Sequence, residues 1–427
     1  MANARSLLAE PRTIDETGMS RGFLSDLALK TIYSVGELSG QAIAEQLRLP
    51  FSGVVEEALT FLKREQLVSI TGSRGFDERA FRYSIGSAGI ERVREALNRS
   101  QYVGPAPVTL EAYQELMRSQ TIGGVVVSRE QVQQALAHLV INSEMLMKIG
   151  PAVNSGRSIF LFGPPGNGKT VIAKAMASML GGEIYIPHAV EVDGHIIKVF
   201  DELNHRAVEG GDEVSSSRAE GGRVDRRWIL IQRPIVVTGG ELTLESLDLV
   251  YDDTSKYYEA PFQMKANGGM FLIDDFGRQQ VRPRDLLNRW IVPLETRVDY
   301  LTLHTGKKIE IPFDQLIVFS TNIDPKALVD EAFLRRIRHK IEVGNPSERE
   351  FYEIFRQVVA ERGVPFDQDG FMYLMRQYYL TMQRELRAVH PRDIVDQIID
   401  IARYRGVETA LTKELIDQAC SSYFVEI

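Results

Sequence analysis

At 427 residues, 44% hydrophobic and 25% charged, the chain has the make-up of a globular protein and the length for two or three domains with separate cores. A formal net charge of −8 excludes a global pull toward nucleic acid or an anionic membrane. A single cysteine, Cys420, excludes an intramolecular disulfide framework and suits a reducing compartment. No apolar run reaches the roughly 18 residues that span a bilayer, and Met1 to Arg12 lacks the apolar centre of a signal peptide. A cytoplasmic location without membrane insertion is therefore expected.

Residues 1–19 are polar, show no period and are expected to be loose. From Phe23 the pattern turns helical, with Phe23, Leu24, Leu27, Ala28 and Ile32 on one face. A second helix is predicted over Ser39 to Leu47 and a third over Ser52 to Leu67. Strands at Val68 to Thr71 and Ala80 to Ile85 flank a charged, glycine-bearing tip, and a helix over Ala88 to Leu97 closes the segment. Across residues 20–100 this order resembles a winged helix-turn-helix domain, on pattern alone. Such domains often meet DNA through the third helix. Here Glu56 and Glu57 open that helix with carboxylates where a groove reader needs donors, whereas Arg74, Arg79 and Arg82 gather on the wing. Residues 21–100 carry 11 Lys+Arg against 10 Asp+Glu, a weak footprint for DNA. Protein docking and DNA binding both stay open.

Residues 101–110 hold the prolines and glycine of a junction, and residues 111–344 form the next unit. Glu111 to Leu146 reads as mostly helical, broken at Ile122-Gly123-Gly124-Val125. That break either wraps a flat ring or is a plain connecting turn. Ile159 to Phe162 is a buried strand, followed by Gly163-Pro164-Pro165-Gly166-Asn167-Gly168-Lys169-Thr170 and a helix from Thr170 to Leu180. A G-x-x-x-x-G-K-T loop between strand and helix is a phosphate-binding loop: backbone N–H groups from Gly163 to Val171 curl around phosphates, and the helix turns its positive end on them. Lys169 would pair with the β- and γ-phosphates, and the Thr170 hydroxyl with a magnesium ion.

A strand at Glu183 to Ile186 comes next, then a loop and helix through Asp193-Gly194-His195-Ile196. Residues 209–224 lack an apolar period and are expected to form a mobile exposed loop. Trp228 to Val237 reads as a strand. Gly269-Met270-Phe271-Leu272-Ile273-Asp274-Asp275 is an apolar strand ending in carboxylates, and after a phosphate loop its first aspartate, Asp274, is the expected magnesium partner through water. Asp285 to Leu294 is helical, Tyr300 to Ile311 alternates about Thr305-Gly306 as a hairpin, and Leu316 to Ser320 is a strand ending at Thr321-Asn322. A helical stretch, Glu331 to Arg336, leads into a strand from Ile337 to Val343. Residues 345–427 are helical and include Arg392.

The order of these motifs over residues 110–427 resembles the AAA+ ATPases. That resemblance implies an α/β fold with a parallel-sheet P-loop NTPase core and a helical C-terminal lid, and an enzyme hydrolysing ATP with Mg2+. It implies that Asn322 is the sensor that orients the attacking water, that Arg335 and Arg336 are fingers reaching a neighbouring subunit's nucleotide, and that Arg392 is the lid's sensor. The hairpin before Asn322 is similar to that of the branch containing magnesium chelatases and related remodelling ATPases. A homo-oligomeric ring, hexameric by family precedent, acting on a client protein is implied; a DNA-acting motor or a slow switch is the alternative. Two departures stand out. Asp275 occupies the position of the glutamate that usually polarises water, one methylene shorter, and Pro187 to Gly194 lacks the aromatic-hydrophobic-Gly signature of threading members.

Overall fold

Short runs of branched and aromatic residues, each bounded by glycine, proline or aspartate, make the centre of the chain a parallel sheet with helices on both faces. The structure, a computed structural model, describes residues 7–73, 75, 77–210, 223–328 and 331–424. Arg74 and most of the expected loop at 209–224 lie outside the described residues.

The N-terminal unit contains helices Arg21–Val35, Gly40–Leu47, Glu56–Arg64 and Ser87–Arg99, with strands β1 (Glu37–Ser39), β2 (Val68–Ser73) and β3 (Phe81–Ile85) in the antiparallel order β1-β3-β2. Ser20 and Ser39 cap the first two helices by accepting from Phe23 N–H and Ala42 N–H. The third helix does not begin at Ser52. Ser52 is extended and Gly53 has a φ of 78°, so regular helix starts at Glu56. A Cβ on Gly53 would stand 2.3 Å from the Arg12 carbonyl oxygen, so the chain before the first helix runs directly over this turn.

Residues 7–19, expected to be loose, are held in place. Ile14 and Met19 are buried in the same apolar cluster as Leu24 and Ile32, Ala9 bridges Val224, and Glu10 N–H donates to Arg223 O at 2.9 Å. Two isolated apolar residues leave no period to detect; only their tertiary partners reveal them.

The central sheet is built of β5 (Ser158–Phe162), β10 (Ile235–Thr238), β13 (Met270–Ile273), β16 (Leu316–Thr321) and β17 (His339–Glu342). Their order is β10-β13-β16-β5-β17, with every pair parallel. Alternation fixes its two faces. Ile159 and Leu161 pack with Ile172 and Met176 of helix Lys169–Leu180, while Phe160 points the other way, toward Phe319 and Trp290 of helix Pro283–Thr296.

Two expectations fail between β5 and β13. Asp193-Gly194 makes no helix: both residues have positive φ, 50° and 81°, the geometry of a tight hairpin turn, and they join β7 (Ala189–Val192) to β8 (His195–Lys198). Trp228 to Val237 is not one strand. Pro234 has no N–H to give a ladder, and the chain divides there into β9 (Trp228–Gln232), antiparallel to β6 (Glu183–Pro187), and β10 of the central sheet. A second sheet joins β7 and β8 to β4 (Val108–Thr109), β11 (Val250–Tyr251) and β12 (Tyr258–Glu259). The expected hairpin, β14 (Val298–Thr302) with β15 (Lys308–Pro312), lays Leu301, Ile309 and Ile311 against that sheet. At its tip Lys307 pairs with Asp193, and the His304 and His195 rings meet at 4.9 Å.

The C-terminal helices Glu348–Glu361, Gln368–Leu374, His390–Arg405 and Lys413–Tyr423 enclose Phe351, Phe355, Ile394, Ile398 and Cys420. Burial pushes the Cys420 thiol up to about 12, so it is an inert core residue. Among the described residues no helix is long and apolar enough to cross a membrane.

The N-terminal unit is fixed to the central unit. Its apolar cluster takes in Tyr102 and Ala106 of the junction, and Ala189 and Ile196 of β7 and β8. Arg227 and Asp225 form a buried pair, their side chains 6% and 3% exposed. The Arg227 guanidinium also donates to Thr17 O at 2.7 Å and Pro107 O at 3.1 Å. One fork thus bonds three separate segments. Truncating it strands a buried carboxylate, which costs about 3–5 kcal/mol. Arg227→Ala should lower the urea unfolding free energy by that amount, and Arg227→Lys, with its charge kept and its fork lost, by less; equal stability of all three chains would contradict this account.

Candidate functional site

In a parallel sheet every strand delivers its C-terminal end to the same edge, and polar side chains collect there. Here β5, β13 and β16 end in the Gly163–Lys169 loop, Asp274-Asp275 and Asn322 respectively.

The loop's shape is set by glycine at two points. Gly163 has a φ of 139° and a Cβ there would stand 2.3 Å from Val343 O; Gly166 has a φ of 80° and a Cβ there would strike Val389 Cγ1 at 2.6 Å. Any side chain at either position would push the loop away from β17 and from the C-terminal helices. Past the loop, the first helical bond is Ile172 N–H to Gly168 O, 2.9 Å. The N–H groups of Lys169, Thr170 and Val171 therefore have no acceptor within their own helix.

Lys169 is 7% exposed. Its Nζ donates to Gly163 O and Pro164 O, both at 2.9 Å, and to Asn322 Oδ1 at 2.6 Å. Burial draws its pKa below the ordinary lysine value, against the pull of Asp274 and then Asp275. Asn322 Nδ2 donates to Asp275 Oδ1 at 3.1 Å, and Thr170 Oγ1 to Asp274 Oδ2 at 2.7 Å. Asp275 has a φ of 48°, a left-handed conformation that aspartate tolerates better than most residues. The turn that aims its carboxylate at Asn322 is thus compatible with the shorter side chain.

These groups line a cleft of about 460 Å³ together with Ile172, Ile354, Val358, Val389 and Arg392. Part of its wall is His138 to Ile141. The sequence left Ile122 to Val125 open between wrapping a flat ring and a plain connecting turn; Ile122 is 1% exposed and packs in the core, and none of the four residues lines the cleft, so the break is a connecting turn. The useful signal was the short apolar run Leu139-Val140-Ile141 between two helices.

Arg392 lines the cleft and pairs with its neighbour Asp393 at 3.0 Å. Arg335 and Arg336 do not line it. They bond Glu331 at 3.0 Å and Glu295 at 2.6 Å, and the Arg335 side chain is 77% exposed.

The cleft suits a nucleotide. It offers free N–H donors, a buried ammonium, an apolar wall for a flat ring and a volume in the usual range for such ligands. For a cation the arrangement is sparser: among the described residues no group of three or more His, Cys, Asp or Glu could hold a metal. Thr170 and Asp274, side by side, fit an ion such as Mg2+, which takes few protein ligands and fills its shell with phosphate oxygens and water.

Residues 159–215 match the model of the AAA family, described as ATPase family associated with various cellular activities. Residues 347–422 match a domain of unknown function (DUF8689). Curated relatives include the 26S proteasome subunit RPT4 of Saccharomyces cerevisiae, 32% identical over 76 residues, which are 18% of this chain and 17% of that protein. Another is an "AAA ATPase forming ring-shaped complexes" of Rothia mucilaginosa, 32% identical over 117 residues, 23% of this chain and 19% of that protein. The chain thus spans less than a fifth of each relative. Among solved structures, NtrX of Brucella abortus in complex with ATP is 16% identical with a TM-score of 0.38, covering 64% of this chain and 54% of that one. The RuvB Holliday junction branch migration motor of Thermotoga maritima is 14% identical with a TM-score of 0.37, covering 70% and 71%.

The helix that carries Arg392 begins at His390, whose Nδ1 lies 3.0 Å from the Tyr379 hydroxyl. Burial first, then Arg387 and Arg384, depress its pKa to about 4, opposed by Asp393. Because the unfolded chain takes up this proton near pH 6.5 and the folded one only near 4, the resulting stability is present above pH 6.5 and declines as pH falls toward 4. His390→Asn keeps an acceptor for Tyr379 without titrating, so its urea midpoint should fall less than the parent's between pH 7 and pH 5; parallel curves would refute the assignment.

Proposed function

We propose that this chain binds Mg-ATP in the cleft and hydrolyses it as one subunit of a ring, using the cycle to remodel or assemble a partner protein. The observation that carries the reading is the convergence of Lys169, Thr170, Asp274, Asp275, Asn322 and Arg392 on one cleft. The names of the two curated relatives, a ring-forming ATPase and a proteasome subunit, agree with it. In this reading residues 20–100 are a winged-helix docking domain, residues 345–424 are the lid, and β14–β15 is the hairpin of the chelatase-like branch.

Bound ATP supplies a reactive phosphoanhydride bond. The chain does the rest by position and charge. Lys169 exchanges its two loop carbonyls for β- and γ-phosphate oxygens. Thr170 and Asp274 are the residues that would hold a magnesium ion, which would supply positive charge to the phosphates. Asp275 takes the role of polarising the attacking water, with Asn322 fixing its carboxylate and linking it to the Lys169 end of the site. Arg392 approaches from the lid. Lys169→Ala should weaken ATP binding at least about tenfold, or about 1.4 kcal/mol. Asp275→Asn should bind ATP as the parent does and release no phosphate. Calorimetry paired with a phosphate-release assay checks both, and a parent chain that binds without turnover would leave a nucleotide-dependent switch in place of an ATPase.

Protein docking is favoured over DNA for the N-terminal unit. Glu56 and Glu57 open the third helix, the Arg12 carbonyl lies against Gly53 in the turn before it, and Arg79 and Arg82 are engaged by Ser52 at 2.7 Å and Glu37 at 3.6 Å. A groove-reading helix needs that end free and positive.

Arg335 and Arg336 lie away from their own chain's cleft, as fingers serving a neighbour would. If they act in trans, the rate per subunit rises with protein concentration as the ring assembles, then saturates. Replacing both with alanine should abolish the rise while leaving ATP affinity nearly unchanged, since the lost contacts belong to the transition state. A flat rate across concentrations that light scattering shows to span monomer and oligomer would exclude a shared site.

A further inference from the structure

Asn167 sits inside the phosphate loop, yet its side chain turns toward the C-terminal helices. It is 6% exposed. Its Nδ2 donates to Gly344 O at 3.1 Å and to Asn345 Oδ1 at 2.8 Å, and its Oδ1 accepts from Ala388 N–H at 3.1 Å. Beside it, Val389 N–H donates to Gly166 O at 2.8 Å. Gly344 and Asn345 are the point where the chain leaves β17 for helix Glu348–Glu361. Ala388 and Val389 are the point where it enters helix His390–Arg405 and, one turn on, reaches Arg392. One amide therefore bonds the C-terminal unit at both of its approaches to the site.

We infer that Asn167 is a positioning residue: it couples the shape of the phosphate loop to the placement of the C-terminal helices, and so sets where Arg392 stands over the cleft. Both donors and the acceptor of the amide are engaged. Two of the three hydrogen bonds run to backbone, at Gly344 O and Ala388 N–H, so a shift of Gly166-Asn167 when the loop closes on an anion must be followed at Ala388 or break the bond. A small side chain at 167 would leave the loop's own N–H groups in place. Alanine therefore separates the coupling from phosphate binding.

The inference rests on the nucleotide reading of the cleft, and its test has an arm that does not. Hydrogen–deuterium exchange without nucleotide should quicken in peptides spanning 386–392 and 344–347 of Asn167→Ala, with helix 169–180 unchanged. Unaltered exchange at 386–392 would overturn the coupling whatever the cleft binds. In the ATPase arm, Asn167→Ala should keep the ATP dissociation constant within about threefold and lower kcat about tenfold, with Arg392→Ala adding less than about twofold on top. A full kcat, or losses that multiply in the double variant, would reduce Asn167 to packing. Should Asn167→Ala fail to fold, Asn167→Asp serves: it keeps the acceptor for Ala388 N–H and loses the donors, so exchange should quicken at 344–347 and stay slow at 386–392. Quickening at neither stretch, or at 386–392 alone, would count against the coupling. A parent chain that binds no ATP would sink the nucleotide reading and leave the exchange result standing.

Discussion

A lysine ammonium brought almost out of solvent is tolerated only where acceptors converge on it. Lys169 meets that condition with two carbonyls of its own loop and the amide of Asn322. The requirement reaches far into the fold. Asn322 must end a strand beside β5, so β16 is the neighbour; Asp275 must come close enough to take the other end of that amide, so β13 lies next; and the loop must close on itself, so Gly163 presses against the β17 end. The sheet order is what a single buried charge and its acceptors need from four stretches of sequence far apart in the chain.

The second organising device is the stretch between the phosphate-loop helix and β10. It builds strands that belong to neither sheet face of the core, carries Arg227, and offers Ala189 and Ile196 to the N-terminal cluster. The N-terminal unit is thereby seated on the central unit through a shared apolar core and a buried ionic fork. Displacement of one therefore implies displacement of the other.

Much of the cleft was legible because its residues are tied to local signals. A glycine-rich turn between strand and helix, an apolar run ending in Asp274-Asp275 and a strand ending in Asn322 are each readable from neighbours in sequence. What stayed hidden depends on partners distant in the chain. Ile14 and Met19 look unpatterned until the first helix is placed beside them. Pro234 divides a continuous apolar run because its two halves go to different sheets, although the proline itself was visible. Asp193-Gly194 carried a hairpin signal that the expected helix overrode. The amide of Asn167 gave no sign of its direction, since its acceptors and donor lie at 344, 345 and 388, and a variable position in a phosphate loop is silent about its contacts.

The arrangement of the central sheet also bears on how the chain comes to be folded. Strand β5, which carries the phosphate loop, has β16 and β17 as its partners, and no strand made earlier pairs with it. As the polypeptide emerges in order, Ser158–Phe162 must wait with both edges open until β16 ends at Thr321, and with one edge open until β17 ends at Glu342. Such late, non-local pairing slows folding and leaves an apolar edge exposed to other chains meanwhile. The N-terminal helices and their three-stranded sheet are complete in secondary structure by Arg99, before this unpaired interval begins. Nascent-chain stability should thus change abruptly between lengths that include β16 and those that stop short of it.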